Sequence, residues 1–203
     1  MLGITNYGAF ILAYVLLLII PGPGNFALMT STTKGGIKGG LAASLGAMVG
    51  DQVLMWLAVA GVASLLQAYP AAFHAVQWLG GAYLAWMGLK IMLAKPGDGS
   101  PVNIKPHHYL LQTMLIILFN PKAILFYMAF LPLFIDPVQH LGLITFGFMS
   151  LTIVLLNALY CMIVVLLTYY FAERLRANKR VSGVLQKLAG MVLIGFGIKV
   201  AVN

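Results

Sequence analysis

The sequence predicts an all-α integral membrane protein of six transmembrane helices, built as two inverted three-helix repeats, with helices 1 and 4 broken near the bilayer midplane. Three observations lead there. Hydrophobic residues make up 62% of the 203 residues and charged residues 8%, with four carboxylates in all; soluble globular domains are not built this way. Apolar runs long enough to cross a hydrocarbon core, roughly 20 residues each, recur six times. Two of them contain residues that cannot continue a helix: Pro21-Gly22-Pro23-Gly24 in the first and Asn120-Pro121-Lys122 in the fourth.

The six spans cover about residues 7–32, 39–67, 73–94, 109–133, 141–172 and 184–202. In the first, two prolines remove backbone donors and two glycines weaken the helix. Such backbone at membrane depth survives only where protein buries it or where it lines a cavity. The second and third spans are glycine-marked, with Gly46-x-x-x-Gly50 in one and Gly80, Gly81 and Gly88 in the other. Small residues at that spacing let helix backbones approach closely in lipid. The fourth span restarts at Asn120-Pro121, an N-cap residue followed by the residue favoured at the first helical position. The fifth carries a lone polar Asn157, and the sixth carries Gly190, Gly195 and Gly197.

Charge placement sets the orientation. Lys34 and Lys38 separate spans one and two; Lys90, Lys95 and Lys105 flank the third connection; Arg174, Arg176, Lys179, Arg180 and Lys187 crowd the fifth. The second and fourth connections hold no Lys or Arg. Cytoplasmic loops are enriched in these residues, so both termini are expected outside. The net charge of +8 therefore resides in short loops, which excludes nucleic acid as a partner and leaves the lipid bilayer. The first segment has no basic stretch before it and is too long for a signal-peptide core, so it is expected to be retained. The lone Cys161 rules out an intrachain disulfide or a Cys-x-x-Cys pair.

The chain also repeats itself. Aligning 76–93 with 185–202 gives six identities: Gln77/Gln186, Leu79/Leu188, Gly81/Gly190, Leu84/Leu193, Gly88/Gly197 and Lys90/Lys199; Pro21 pairs with Pro121. The expected organisation is a single membrane domain, 1–203, with repeat 1 at about 1–94, a cytoplasmic linker at 95–108 and repeat 2 at about 109–203. An odd number of spans per unit inverts the second copy, the plan of many secondary transporters.

Two charges lie deep. Asp51 is about a dozen residues into its span, near the midplane at 1.5 Å per residue. An ionised carboxylate there costs about 2.5–3.5 kcal/mol on insertion scales, so its expected role is a coupling-proton site or a contact for a substrate ammonium; a structural ion pair, or a neutral acid bonded to a backbone carbonyl, is the alternative. Lys122, just past the second break, is too deep to reach water readily and needs an internal partner, for which Asp51 is the natural guess. The half-helices that begin at Gly24-Asn25 and at Asn120-Pro121 offer free N–H groups and a positive dipole end, which suit a carboxylate. The candidate substrate-binding residues are therefore Pro21, Gly22, Pro23, Gly24, Asn25, Asn120, Pro121 and Asn157, with Asp51 and Lys122 as the proton-coupling or ion-pair residues. No catalytic constellation, metal-ligand spacing or cofactor motif stands out.

These motifs together, Pro21-Gly22-Pro23, Gly46-x-x-x-Gly50-Asp51, and Asn120-Pro121-Lys122-Ala123 followed by Phe126 to Phe134 with Leu131-Pro132, resemble the LysE/RhtB family of bacterial amino-acid exporters along the whole chain. The resemblance implies export of a small-molecule amino acid across the inner membrane, driven by protons, with neutral substrates such as leucine, threonine or homoserine favoured by the scarcity of intramembrane acids. A homo-oligomer stays open. A metal-cation exporter is the alternative within transport, disfavoured because divalent and soft ions want clustered ligands; a non-transporting assembly subunit is the alternative outside it. A membrane enzyme or redox carrier would need a second intramembrane cysteine or a His/Asp cluster.

The orientation is testable by labelling. Single cysteines at Ser100 and Asn178 should react with a membrane-impermeant thiol reagent only after the inner membrane is opened, whereas one at Gln139 should react once the outer membrane is permeable. Labelling at Ser100 from outside would sink the topology.

Overall fold

The structure is a computed structural model. It describes residues 3–20, 22–68, 70–93, 102–135 and 142–177, with scattered helical positions between 183 and 198. Helix α1 runs Tyr7–Ile19, opened by Asn6, whose side chain accepts from the Ala9 N–H at 3.0 Å. Helix α2, Pro23–Ala68, is two arms joined at Gly36, where φ is 61°. Only glycine adopts that conformation readily, so the turn predicted between Lys34 and Lys38 is a one-residue corner. Helix α3 is Pro70–Leu93, α4 Tyr109–Leu118, α5 Pro121–Leu125 and α6 Leu143–Ala177. Past α5 the chain continues as a π-helical turn, Phe126–Phe130, and a 3₁₀ turn, Leu131–Phe134. Among the described residues the regular structure is helical, save one isolated bridge between Ile4 and Ile135, and residues 102–108 are turn and irregular backbone.

Two of these helices are long and apolar enough to cross a membrane, over Pro23–Gly61 and Leu143–Phe171; the pair Tyr109–Leu118 and Pro121–Met128, bent by 50°, passes the same test jointly. The outer surface is what lipid requires. Leu12, Leu16, Leu57, Leu155 and Leu159 are all exposed, a coat that would drive aggregation in water.

Glycines set the tightest contact. A Cβ at Gly46 would fall on the Leu110 carbonyl, and one at Gly50 would sit 2.9 Å from Ile117 Cβ and 3.0 Å from the Met114 carbonyl. The second arm of α2 thus lies backbone to backbone with α4, which fixes the level at which the α4–α5 break meets Asp51. Gly88 and Gly190 make a second such approach, with the Gly190 carbonyl 2.6 Å from a Cβ at Gly88. The linker end is anchored too: Ile104 is fully buried, and Lys34 Nζ donates to its carbonyl at 2.9 Å.

The obstacles at Gly46 and Gly50 include backbone atoms, which cannot rotate away. Gly46→Ala should therefore lower stability by about 1–3 kcal/mol as read by thermal melting in detergent. Gly147→Ala, with nothing within 4 Å of its Cβ, should leave the melting temperature unchanged. Equal melting of the two variants would contradict the contact.

Candidate functional site

Both helix breaks end at one buried place. Helix α1 stops at Ile19, with Ile20 extended, and α2 starts again at Pro23. Helix α4 stops at Leu118, and α5 starts at Pro121 with Asn120 as its cap, the Asn120 Oδ1 accepting from the Lys122 N–H at 3.1 Å. Between them lies a cavity of about 40 Å³ lined by Gly24, Asn25, Asp51, Asn120, Lys122 and Asn157, with Leu17, Ile117, Tyr160 and Cys161 among its other walls. Asp51, Asn120, Lys122 and Asn157 are each no more than 5% exposed.

The structure thus gathers six of the sequence-predicted residues around one volume. Gly22 stands beside it, since a Cβ there would sit 3.3 Å from Lys122 Nζ. Pro23 and Pro121 open their half-helices without lining the cavity, and Pro21 lies outside the described residues. A larger recess of about 580 Å³ runs along the outer face of α2, from Leu45 to Leu57. Its walls are apolar apart from Gln52, so it is lipid-facing surface with no group to orient a polar ligand.

The polar contacts differ from the expected pairing. Lys122 and Asp51 share the cavity but form no ion pair within 4.0 Å. Lys122 Nζ instead donates to the carbonyls of Leu17, at 2.9 Å, and Ile20, at 2.6 Å. The reason lies in the first breaker. The helical partner of the Leu17 carbonyl would be the N–H of residue 21, a proline, which has none. A buried carbonyl left alone carries a desolvation penalty, and an ammonium removes it for two carbonyls together. Asn25 performs a similar service, its Nδ2 donating to the Leu18 carbonyl at 3.0 Å and to the Tyr160 hydroxyl at 2.9 Å.

Asp51 is held from α6. Its Oδ2 accepts from Asn157 Nδ2 at 2.5 Å, and Asn157 Oδ1 accepts from the Cys161 thiol at 3.1 Å. Two phenols approach from the other side. Tyr14 on α1 and Tyr127 on the π turn are close enough to influence the Asp51 carboxyl as hydrogen-bond donors, yet neither buried hydroxyl reaches full hydrogen-bond geometry. Sequence reasoning missed these two, together with Tyr160 and Cys161. A signal existed. Tyr14 and Tyr127 stand seven residues from Pro21 and Asn120, two helical turns, while Tyr160 and Cys161 are three and four residues past Asn157 on its own face.

The chain is similar to known proteins along nearly its whole length. A family profile described as LysE type translocator matches residues 15–203. The leucine efflux protein of Klebsiella pneumoniae is 33% identical over 203 residues, spanning 98% of this chain and 96% of its own length. The leucine efflux protein of Salmonella typhimurium is 31% identical over 204 residues with the same coverage. An uncharacterised membrane protein of Pseudomonas aeruginosa is 31% identical over 210 residues, again spanning 98% and 96%. No solved structure matches the chain.

Removing an unsatisfied buried hydroxyl should not weaken the fold. Tyr127→Phe and Tyr14→Phe should melt at or above the native temperature, by up to about 1–2 kcal/mol of relieved desolvation, while net transport falls. A clear drop in melting temperature would mean that the phenol is bonded in the resting protein.

Proposed function

Because this chain belongs to the LysE-type translocator family, we propose that it exports neutral amino acids, leucine first among them, across the bacterial inner membrane in exchange for protons. The observation that carries the reading is the meeting of two broken helices, a buried carboxyl and a buried ammonium around one cavity. In the proposed binding mode the substrate carboxylate lies at the starts of the half-helices, against Gly24 and Asn25 and near Asn120 and Pro121, where free N–H groups and the positive dipole end favour an anion. The substrate ammonium turns toward the acceptor groups of the same cavity. At about 40 Å³ the cavity has room for roughly three waters, so loading an amino acid requires the half-helices to separate.

The same proposal includes the architecture. Six spans form two inverted units in a single domain, 1–203, with both termini outside, and the units alternate access around the two breaks. The close approach of Gly88 to Gly190 supports it, because it joins the last helix of each proposed unit. Asp51 is the proposed proton carrier. It is a buried carboxyl beside a broken helix, within the field of Lys122, and its charge can be exchanged for a proton as access alternates.

Efflux from leucine-loaded proteoliposomes, with and without an imposed proton gradient, tests the reading. The native protein should export leucine faster when protons can move inward. Asp51→Asn should lose gradient-driven efflux by roughly tenfold or more, a rate change of about 1.4 kcal/mol per decade. Normal efflux with normal gradient dependence in Asp51→Asn would move the coupling site elsewhere.

A further inference from the structure

We infer that the carbonyls of Leu17 and Ile20 form a seat for a primary ammonium, occupied in this conformation by Lys122 as a tethered cation and taken by the substrate's α-ammonium when Lys122 swings to an ionised Asp51. The inference rests on the amino-acid reading above and specifies how one site serves two ligands.

The seat follows from the chain's own chemistry. The carbonyls in the last turn of a helix lack intrahelical partners and form the negative end of its dipole. In α1 the deficit is sharper, because residues 21 and 23 are prolines. The helical donors for Leu17 and Ile19 are therefore missing from the sequence itself. Asn25 takes the Leu18 carbonyl, and Lys122 Nζ takes those of Leu17 and Ile20 at 2.9 and 2.6 Å. The remaining wall of the seat is Gly22. A Cβ there would come within 3.3 Å of Nζ and 3.4 Å of Cε, so glycine leaves the ammonium its room.

An α-amino acid brings the same head group as lysine, a –NH₃⁺ with three donors. The two ammoniums therefore compete for one carbonyl pair. Lys122 has a second station in reach, since Asp51 lines the same cavity and lies within its electrostatic field. The titratable groups that face this region are Asp51 from the second arm of α2, Lys122 from α5, Tyr14 from α1, Tyr127 from the π turn, and Tyr160 and Cys161 from α6.

The exchange balances. When Asp51 releases its proton to cytoplasmic water, the carboxylate draws the Lys122 ammonium away and the carbonyl pair opens to the substrate. When a proton arrives from outside, Asp51 is neutralised, Lys122 returns to Leu17 and Ile20, and the substrate ammonium is expelled. One proton enters for each zwitterion that leaves.

The seat can be read without any amino acid. Lys122→Ala removes a fragment equivalent to n-propylammonium, so at a pH low enough to keep Asp51 protonated propylammonium chloride should raise the melting temperature of that variant in detergent. It should leave the native protein unchanged, and tetramethylammonium, which has no N–H, should leave both unchanged. Equal responses of variant and native protein, or none in the variant, would overturn the seat while leaving amino-acid export intact.

The competition is read with Lys122→Met, which keeps the bulk and removes the charge. Native leucine binding should weaken about tenfold or more as pH falls and Asp51 takes up its proton, whereas binding to Lys122→Met should be at least as tight as native and insensitive to pH. A lysine that only holds the structure together predicts the reverse, weaker binding in Lys122→Met with the native pH dependence retained. Should the native protein bind no amino acid at all, the export reading fails and the propylammonium experiment still decides the seat.

Discussion

Every backbone carbonyl and N–H inside a bilayer must find a partner within the protein. The Pro-Gly-Pro-Gly break violates that rule locally, and the centre of the molecule is the set of side chains that restores it. Lys122 reaches across from the other broken helix to the Leu17 and Ile20 carbonyls, and Asn25 reaches back to Leu18. Asn120 does the same for the second break by capping α5. Remove those contacts and the breaks become kinks with exposed polar edges, which lipid would not tolerate. The polar interior of this protein thus arises from the need to satisfy its backbone, and the substrate chemistry proposed for it reuses the same groups.

Precision at that centre comes from glycine. The second arm of α2 lies against α4 with Gly46 and Gly50 at the contact, so Asp51 on one helix and the Asn120–Lys122 segment just past the other are held at a common level. In lipid the hydrophobic effect does not press helices together, and close backbone approach takes its place. A side chain as small as alanine at these positions would separate the carboxyl from the break. Carboxyl and break are thereby coupled through packing even though Asp51 and Lys122 do not touch.

The sequence made the local chemistry legible and the partner choice illegible. Proline, glycine and asparagine mark helix ends by properties they carry everywhere, so both breaks and the Asn120 cap stood at the expected residues. The burial of Asp51 and Lys122 was expected from their places well inside apolar runs. Their pairing was misjudged, because a charge count offers lysine only acids as partners and overlooks carbonyls orphaned by a proline one hundred residues away. The turn between the first two spans was visible in Lys34 and Lys38, but not that Gly36 alone makes it. Tyr14 and Tyr127 were hidden among aromatic neighbours that fill the core, and only the geometry distinguishes a phenol facing a carboxyl from one that packs.

The π turn at Phe126–Phe130 carries a consequence of its own. It takes one residue more than an α-helical turn would, a register surplus placed between the capped break and the 3₁₀ turn at Leu131–Phe134. Absorbing that residue into regular helix would rotate everything beyond it by about 100°, while the Asn120 cap and the Lys122 backbone stayed where they are. Tyr127 lies within the surplus and would be carried away from Asp51 by the same turn. A shift of that surplus would therefore turn the chain beyond Phe130 as a unit about a capped start that keeps its place.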